Sequence, residues 1–306
     1  MQSRPSSKLA AIVGGLAPTG SVLVATPAEA AEPATKAIRS IEAVAPDVLL
    51  EVAASRAVDV PTDPEEPITV KDDPQAGSGG LQIGVPFADT ADDAVTPRPG
   101  VRFFDNNNGS STVPVTHDDA SVQLLTVIGN ASAPTRYDYQ LHVPPGATAT
   151  LDHGGVFITE ANGDLAGMIA PAWAKDAQGA AVPTHYEFIG DTLTQIVEHS
   201  SAFAYPIVAD PYLGVKMVQN VTWVKRDKRG RTLVVTPTRA SRAFGGAYLA
   251  GVYGWKEVEA RAGRQNVQMQ WQYICHQQFA FAKATYNLDT WWRRANYPDV
   301  VNHRCN

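Results

Sequence analysis

Two groups of residues could carry chemistry. The first is Cys275 with His276 in WQYICHQQFAF, together with His303 and Cys305 in the closing NHRCN; the chain has no other cysteine. Three chemistries use such residues: a thiol activated by an imidazole, a Cys2His2 metal set, and a disulfide. Neighbours on a strand point to opposite faces, which argues against a convergent Cys275–His276 pair. The spacing fits no common zinc-finger pattern. In an oxidising compartment two cysteines pair, and closing a loop of about 30 residues contributes roughly 3–4 kcal/mol in the chain-entropy model. A Cys275–Cys305 disulfide is therefore expected, with the thiol and zinc readings left open.

The second group is basic and aromatic. Lys225, Arg226, Lys228, Arg229 and Arg231 fall within seven residues, and Trp291, Trp292, Arg293, Arg294 and Tyr297 cluster near the end. Cations beside exposed rings suit an anionic polymer or a glycan: the charges neutralise phosphate or carboxylate and the rings stack on sugars. The bland alternative is a hairpin edge guarded by charge and tryptophans that belong to a core.

Catalytic patterns are missing. The histidines are scattered (117, 142, 153, 185, 199, 276, 303), and there is no HExxH, no GxSxG and no SxxK with a partner. Glu257 and Glu259 lie two apart and do not face each other on a helix. Glu198 and His199 with Asp210 form an imaginable polar cluster without a substrate to align. The turns DNNNGSS (105–111) and THDD (116–119) offer oxygen ligands for calcium, but neither matches an EF-hand loop, and turn chemistry explains both. No catalytic residue, metal site or cofactor is assigned, and an enzyme is not the leading expectation.

The elements that position these residues fall into four segments. Residues 1–30 read as a signal peptide: Arg4 and Lys8, an apolar stretch over 9–24, and Ala28-Glu29-Ala30 as the cleavage motif. No later run is long enough to span a bilayer, so a secreted or wall-associated protein is expected, with no membrane span after cleavage. Residues 31–80 read as a loosely ordered leader or pro-segment, with a helix over 34–57 broken at Pro46 and a flexible piece at 71–80. Residues 81–211 hold short runs rich in Val, Ile, Thr, Phe and Tyr between Gly, Pro, Asn and Asp turns, the pattern of an all-β sandwich-like domain. YDYQLHV alternates cleanly, with Tyr137, Tyr139 and Leu141 on one face.

Residues 212–306 change character: a hairpin over 220–239, a helix over 247–263, and a strand over 267–282 on which Val267, Met269, Trp271, Tyr273 and Cys275 share a face. The whole reads as a small disulfide-closed α+β module of ββαβ type. Charge divides at the same boundary. Residues 31–211 carry 8 Lys/Arg against 25 Asp/Glu, a net of −17, whereas residues 212–306 carry 15 against 5, a net of +10. Such halves imply separate partners, or docking of the acidic half on the basic one.

LVVTPTRASRA (233–243), GWKEVEAR (254–261) and the stretch from YICHQQF (273–279) through YNLD to RCN resemble the domain-of-unknown-function family 2599 of secreted actinobacterial proteins. The Ala-rich A-x-A leader is similar to that of an exported actinobacterial protein as well. The resemblance assigns no activity and no catalytic residue. The segment ending in YPIVADP resembles a β-module of exported proteins, which implies a carrier. The leading expectation is an exported, non-enzymatic protein whose basic aromatic module binds an anionic or glycan component of a bacterial envelope, with no nucleic acid as partner. The alternative is a secreted effector, a small hydrolase or toxin, held by the acidic module and released by proteolysis at 212–220.

Overall fold

The computed structural model describes residues 27–50, 52–71 and 80–306. The expected signal-peptide positions Arg4, Lys8 and 9–24, and residues 72–79 of the expected flexible piece, lie outside the described residues.

The described residues begin with α1 (Pro27–Val44) and a 3-10 turn (Pro46–Leu49). Strands β1 (Val58–Asp59), β2 (Ile68–Val70), β3 (Leu81–Ile83), β4 (Val95–Arg98), β5 (Val101–Asp105), β6 (Ser110–Thr116) and β7 (Val122–Ile128) follow. Next come β8 (Arg136–His142), β9 (Thr148–Asp152), β10 (Gly155–Thr159), β11 (Leu165–Ile169), β12 (Ala174–Lys175), β13 (Thr184–Ile189), β14 (Thr192–Val197), β15 (Ile207–Ala209) and β16 (Tyr212–Gly214). The C-terminal region holds β17 (Val218–Asp227), β18 (Gly230–Pro237), α2 (Arg239–Ala243), α3 (Tyr248–Ala262), α4 (Val267–Phe279), β19 (Tyr286–Asp289) and α5 (Tyr297–Asn302).

Two antiparallel sheets form the N-terminal domain. One runs β1-β2-β3-β8-β14-β13; the other runs β4-β5-β6-β7-β16-β11-β10-β9, with β15 also on β7 and β12 on β15. Their inner faces share one apolar core that includes Tyr137, Tyr139 and Leu141 from β8 and Leu124 and Ile128 from β7. The expected β8 alternation is realised: these three are buried while Asp138, Gln140 and His142 are exposed. Strands β6 and β7 are buried along their whole length, on both faces. Their second face is covered by the leader.

That cover corrects the expectation of a loosely ordered leader. Ala34, Ala37, Ile41, Val44 and Val48 recur at helical spacing and dock on Val113, Val115, Leu125 and Val127 of the larger sheet. The break at Pro46 occurs as read, but the helix does not resume toward residue 57. Val52 instead pairs with His117, and β1 and β2 join the smaller sheet.

In the C-terminal domain β18 lies between β17 and β19. The hairpin and the helix closed by Gly263 appear where expected. The segment 267–279 does not form a strand. It is α4, capped by the Asn266 side chain, which accepts from Met269 N at 3.1 Å. The apparent alternation misled: burial takes in Met269 and every residue from Gln272 to Gln277, on both faces that a strand would have presented. The third strand of the expected β-β-helix-β order is β19, the YNLD segment, which pairs with β18. A disulfide between Cys275 and Cys305, Cα atoms 5.3 Å apart, pins the tail to α4 around Val300 of α5.

The two domains share a second core. Phe157, Met168, Ala170 and Tyr212 of the sandwich join Phe244, Ala247, Ala250 and Trp255 of the C-terminal helices in one cluster. The Phe157 and Phe244 rings lie 4.5 Å apart. Gly155 is required beneath them, because a Cβ there would stand 2.7 Å from the Phe244 ring.

Candidate functional site: an arginine–tryptophan cluster

The hairpin of β17 and β18 ends at Asp227–Gly230, a two-residue turn that presents Lys228 and Arg229. The segment after β19 returns beside it: Thr290 N donates to Arg231 O at 3.0 Å, and Arg231 N donates to Thr290 Oγ1 at 3.1 Å. Gly230 makes this approach possible, since a Cβ there would lie 2.5 Å from Thr290 Oγ1 and 3.0 Å from the Trp291 ring. The two basic aromatic stretches, about 60 residues apart in sequence, thus meet at one end of the small sheet.

Their side chains interleave. The Arg229 guanidinium carbon lies 4.9 Å from the Trp291 ring centre and 5.3 Å from that of Trp292. Arg294 lies 5.0 Å from the Trp292 ring, and Arg231 lies 4.3 Å from the Trp223 ring. Trp291 and Trp292 are half-buried rather than core residues, and Lys225, Arg226, Lys228, Arg229, Arg231 and Arg293 are exposed. Trp292 is held by its Nε1, which donates to Asp289 Oδ2 at 3.1 Å, and Asp289 in turn accepts from Thr232 Oγ1. Arg226 donates to Asn287 Oδ1 at 2.8 Å, Arg293 to the carbonyls of Thr290 and Trp292, and Arg294 Nε to Asn306 O at 2.7 Å. Trp223 was not among the residues singled out from sequence; its place two residues before Lys225 in the same strand was the available signal.

The remaining candidates take structural places. His276 is 2 % exposed and stacks on Tyr286 at 5.3 Å, and burial pushes its pKa down to about 4. On α4 it lies beside a cysteine already committed to the disulfide. Glu198, His199 and Asp210 do not converge. His199 bonds Tyr205 and Pro134 O, Glu198 faces His185 at 3.7 Å, and Asp210 bonds Gln123 and Trp173. Asp210 lies in a cleft of about 330 Å³ with Lys175 and Arg239, and burial pushes its carboxyl up to about 8. Those two cations are spent on the leader: Lys175 Nζ reaches Val44 O at 3.5 Å and Arg239 Nη1 donates to Asp47 O at 3.0 Å.

Glu257 clasps the joint between domains. It accepts from Met217 N at 2.7 Å and Val218 N at 3.1 Å, and burial raises its pKa. In the 105–119 turns, Asp105, Asn108 and Asp119 accept from backbone N–H groups two residues on, the turn chemistry that competes with calcium. Among the described residues no group of three or more His, Cys, Asp or Glu side chains is placed to hold a metal ion.

No curated protein matches the chain. The model of a family described as protein of unknown function (DUF2599) matches residues 218–306, the C-terminal domain that carries the arginine–tryptophan cluster.

Proposed function

We propose that this is an exported, non-enzymatic protein whose C-terminal domain binds an anionic component of a bacterial envelope through the arginine–tryptophan cluster. The observation that carries the reading is the convergence of two distant basic aromatic stretches on one exposed surface, with Arg229 against both Trp291 and Trp292. A core would not need these charges, and a guarded strand edge would not need three tryptophans beside them. The +10 charge of residues 212–306 supplies long-range attraction for a polyanion. The Cys275–Cys305 disulfide suits an oxidising compartment.

The effector reading finds less support. Release at 212–220 needs an accessible joint, yet Leu213, Met217 and Val218 are fully buried and β16 is hydrogen-bonded into the sandwich. Lys256 pairs with Asp164 at 3.3 Å across the same joint. The test is sedimentation of the oxidised full chain with isolated bacterial envelopes at low and high salt, beside Lys225→Glu/Lys228→Glu. Saturable binding that weakens with salt and with charge reversal is expected. Equal binding by both proteins, unaffected by salt, overturns the reading.

A further inference from the structure

The helical hairpin of the C-terminal domain has an apolar end that the domain core does not cover. Helices α3 and α4 run antiparallel, with Gly251 against Ile274 and Gly254 against Tyr273, so the start of α3 meets the end of α4. Phe279 is 61 % exposed there, and Tyr248, Leu249 and Phe281 are exposed as well. The Tyr248 ring meets that of Tyr297 at 6.1 Å, and Tyr297 Oη donates to Gln278 Oε1 beside Phe279. Monomer surfaces seldom gather exposed large apolar side chains in this way without a partner for them.

The rings are held outward by the fold. Arg242 donates to the carbonyls of Pro237, Phe281, Lys283 and Ala284, which fixes the turn after α4 against α2. The Phe281 ring lies on the backbone of Gly245, where a Cβ would overlap it. The Cys275–Cys305 disulfide anchors α4 one turn earlier. A tip ordered before docking loses little conformational freedom when it docks.

Charge selects the occupant. Residues 239–256 and 260–288 supply the tip apart from Tyr297, and they contain no Asp or Glu. Lys283 is exposed directly after Phe279-Ala280-Phe281-Ala282, and Arg242 lies behind the same turn. Asp299 of α5 is turned to Ala295 N and to His303 Nδ1, each at 3.1 Å. A second copy on this face would bring the same cations together across a two-fold axis. A bilayer with anionic headgroups instead accepts aromatic rings at headgroup depth and attracts the lysine beside them.

We infer that the α3–α4 end is a membrane-docking tip. Tyr248, Leu249, Phe279 and Phe281 enter the interfacial layer of an anionic lipid bilayer, and Lys283 meets its headgroups. The chain docks without crossing: among the described residues no helix is long and apolar enough to span a membrane. The tip is separate from the arginine–tryptophan cluster. The chain after α4 runs back along that helix, with Tyr286 at Gln277 and Arg294 at Gln268. The cluster therefore lies toward the other end of α4, roughly 16 Å away along the helix at about 1.5 Å per residue.

Flotation of the oxidised full chain with vesicles tests the tip, using phosphatidylcholine alone and equal parts of phosphatidylcholine and phosphatidylglycerol. The chain should float with the anionic vesicles and stay behind with the neutral ones. Phe279→Ser/Phe281→Ser removes apolar area and no charge, so partition should weaken roughly tenfold or more at an unchanged salt slope. Should that variant lose its near-UV spectrum, Phe279→Trp is the second probe, and lipids brominated along the acyl chain should quench its added fluorescence. Equal flotation of the serine variant and the parent, or no quenching of the added tryptophan, overturns the tip. A parent that ignores both vesicles also overturns it, while sedimentation with whole envelopes would leave binding through the cluster standing. Self-association without lipid that the serine variant abolishes overturns it too, and assigns the face to a second copy.

Discussion

Asp210→Asn isolates one buried proton. Asp210 is 1 % exposed, and Trp173 N and Gln123 Nε2 donate to its two oxygens at 3.1 and 3.2 Å. Burial outweighs those bonds and lifts the carboxyl from 3.8 to about 8. Tyr139 and Tyr186 lie close enough to feel its charge, and Lys175 and Arg239 share its cleft without offsetting the burial. Between about pH 4 and pH 8 the folded chain therefore holds a proton that the unfolded chain has released, so stability falls as pH rises through that window. From about pH 5 to about pH 8, three units at 1.36 kcal/mol each amount to about 4 kcal/mol.

Asparagine keeps the shape of the protonated acid and does not titrate. Trp173 N keeps its acceptor, and a flip of the Gln123 amide offers Oε1 to the new Nδ2. The stability of the variant relative to the parent should thus grow by about 4 kcal/mol between those pH values. Urea unfolding at several pH values, read by far-UV CD and by tryptophan fluorescence, measures it. A difference that stays constant across pH would refute the argument that the folded chain keeps Asp210 protonated. Glu257 titrates in both proteins and cancels from the comparison.

His276 acts in the opposite sense. Its folded pKa of about 4 lies below the ordinary 6.5, so its contribution is present above pH 6.5 and is lost as pH falls toward 4. The two slopes oppose each other in the parent between those values. The variant should keep the histidine slope without the opposing slope of Asp210.

Phe244→Ala removes a ring that is 1 % exposed and 4.5 Å from Phe157, and should cost about 3–5 kcal/mol. The CD and fluorescence transitions should move together; a sandwich transition that stays in place would show two independent folding units. Cys275→Ser/Cys305→Ser should lose roughly 3–4 kcal/mol through the reopened loop, visible as a lower urea midpoint and faster amide exchange in α5. Gly230→Ala brings a Cβ to 2.5 Å from Thr290 Oγ1, and should cost about 1–3 kcal/mol and displace Trp291. Near-UV CD and envelope sedimentation check it, and no change in either would contradict the close approach described here.

Much of the site was legible in the sequence, because charge and ring type need no fold to be recognised. Lys225–Arg231 and Trp291–Arg294 could be named as two clusters, and Gly230 marked the turn. Their meeting could not be read, since it depends on β19 pairing with β18 and carrying Thr290 onto Arg231. Nor could the covering of the rings: whether an indole faces solvent or an arginine is decided by side-chain packing from both segments.

What the sequence by itself determined is local. Alternation set β8, the turn residues set the hairpins, Pro46 ended α1, and two cysteines sufficed for one disulfide. Tertiary structure decided whatever depends on a partner surface. Ala34, Ala37, Ile41, Val44 and Val48 look like an undistinguished small-residue leader until the outer face of β6 and β7 is there to bury them. The segment 267–279 satisfies both a two-residue and a helical period, and only the surface waiting beneath Met269, Tyr273 and His276 selects the helix. Burial of an apolar face is a property of two surfaces, and one stretch of sequence carries only one of them.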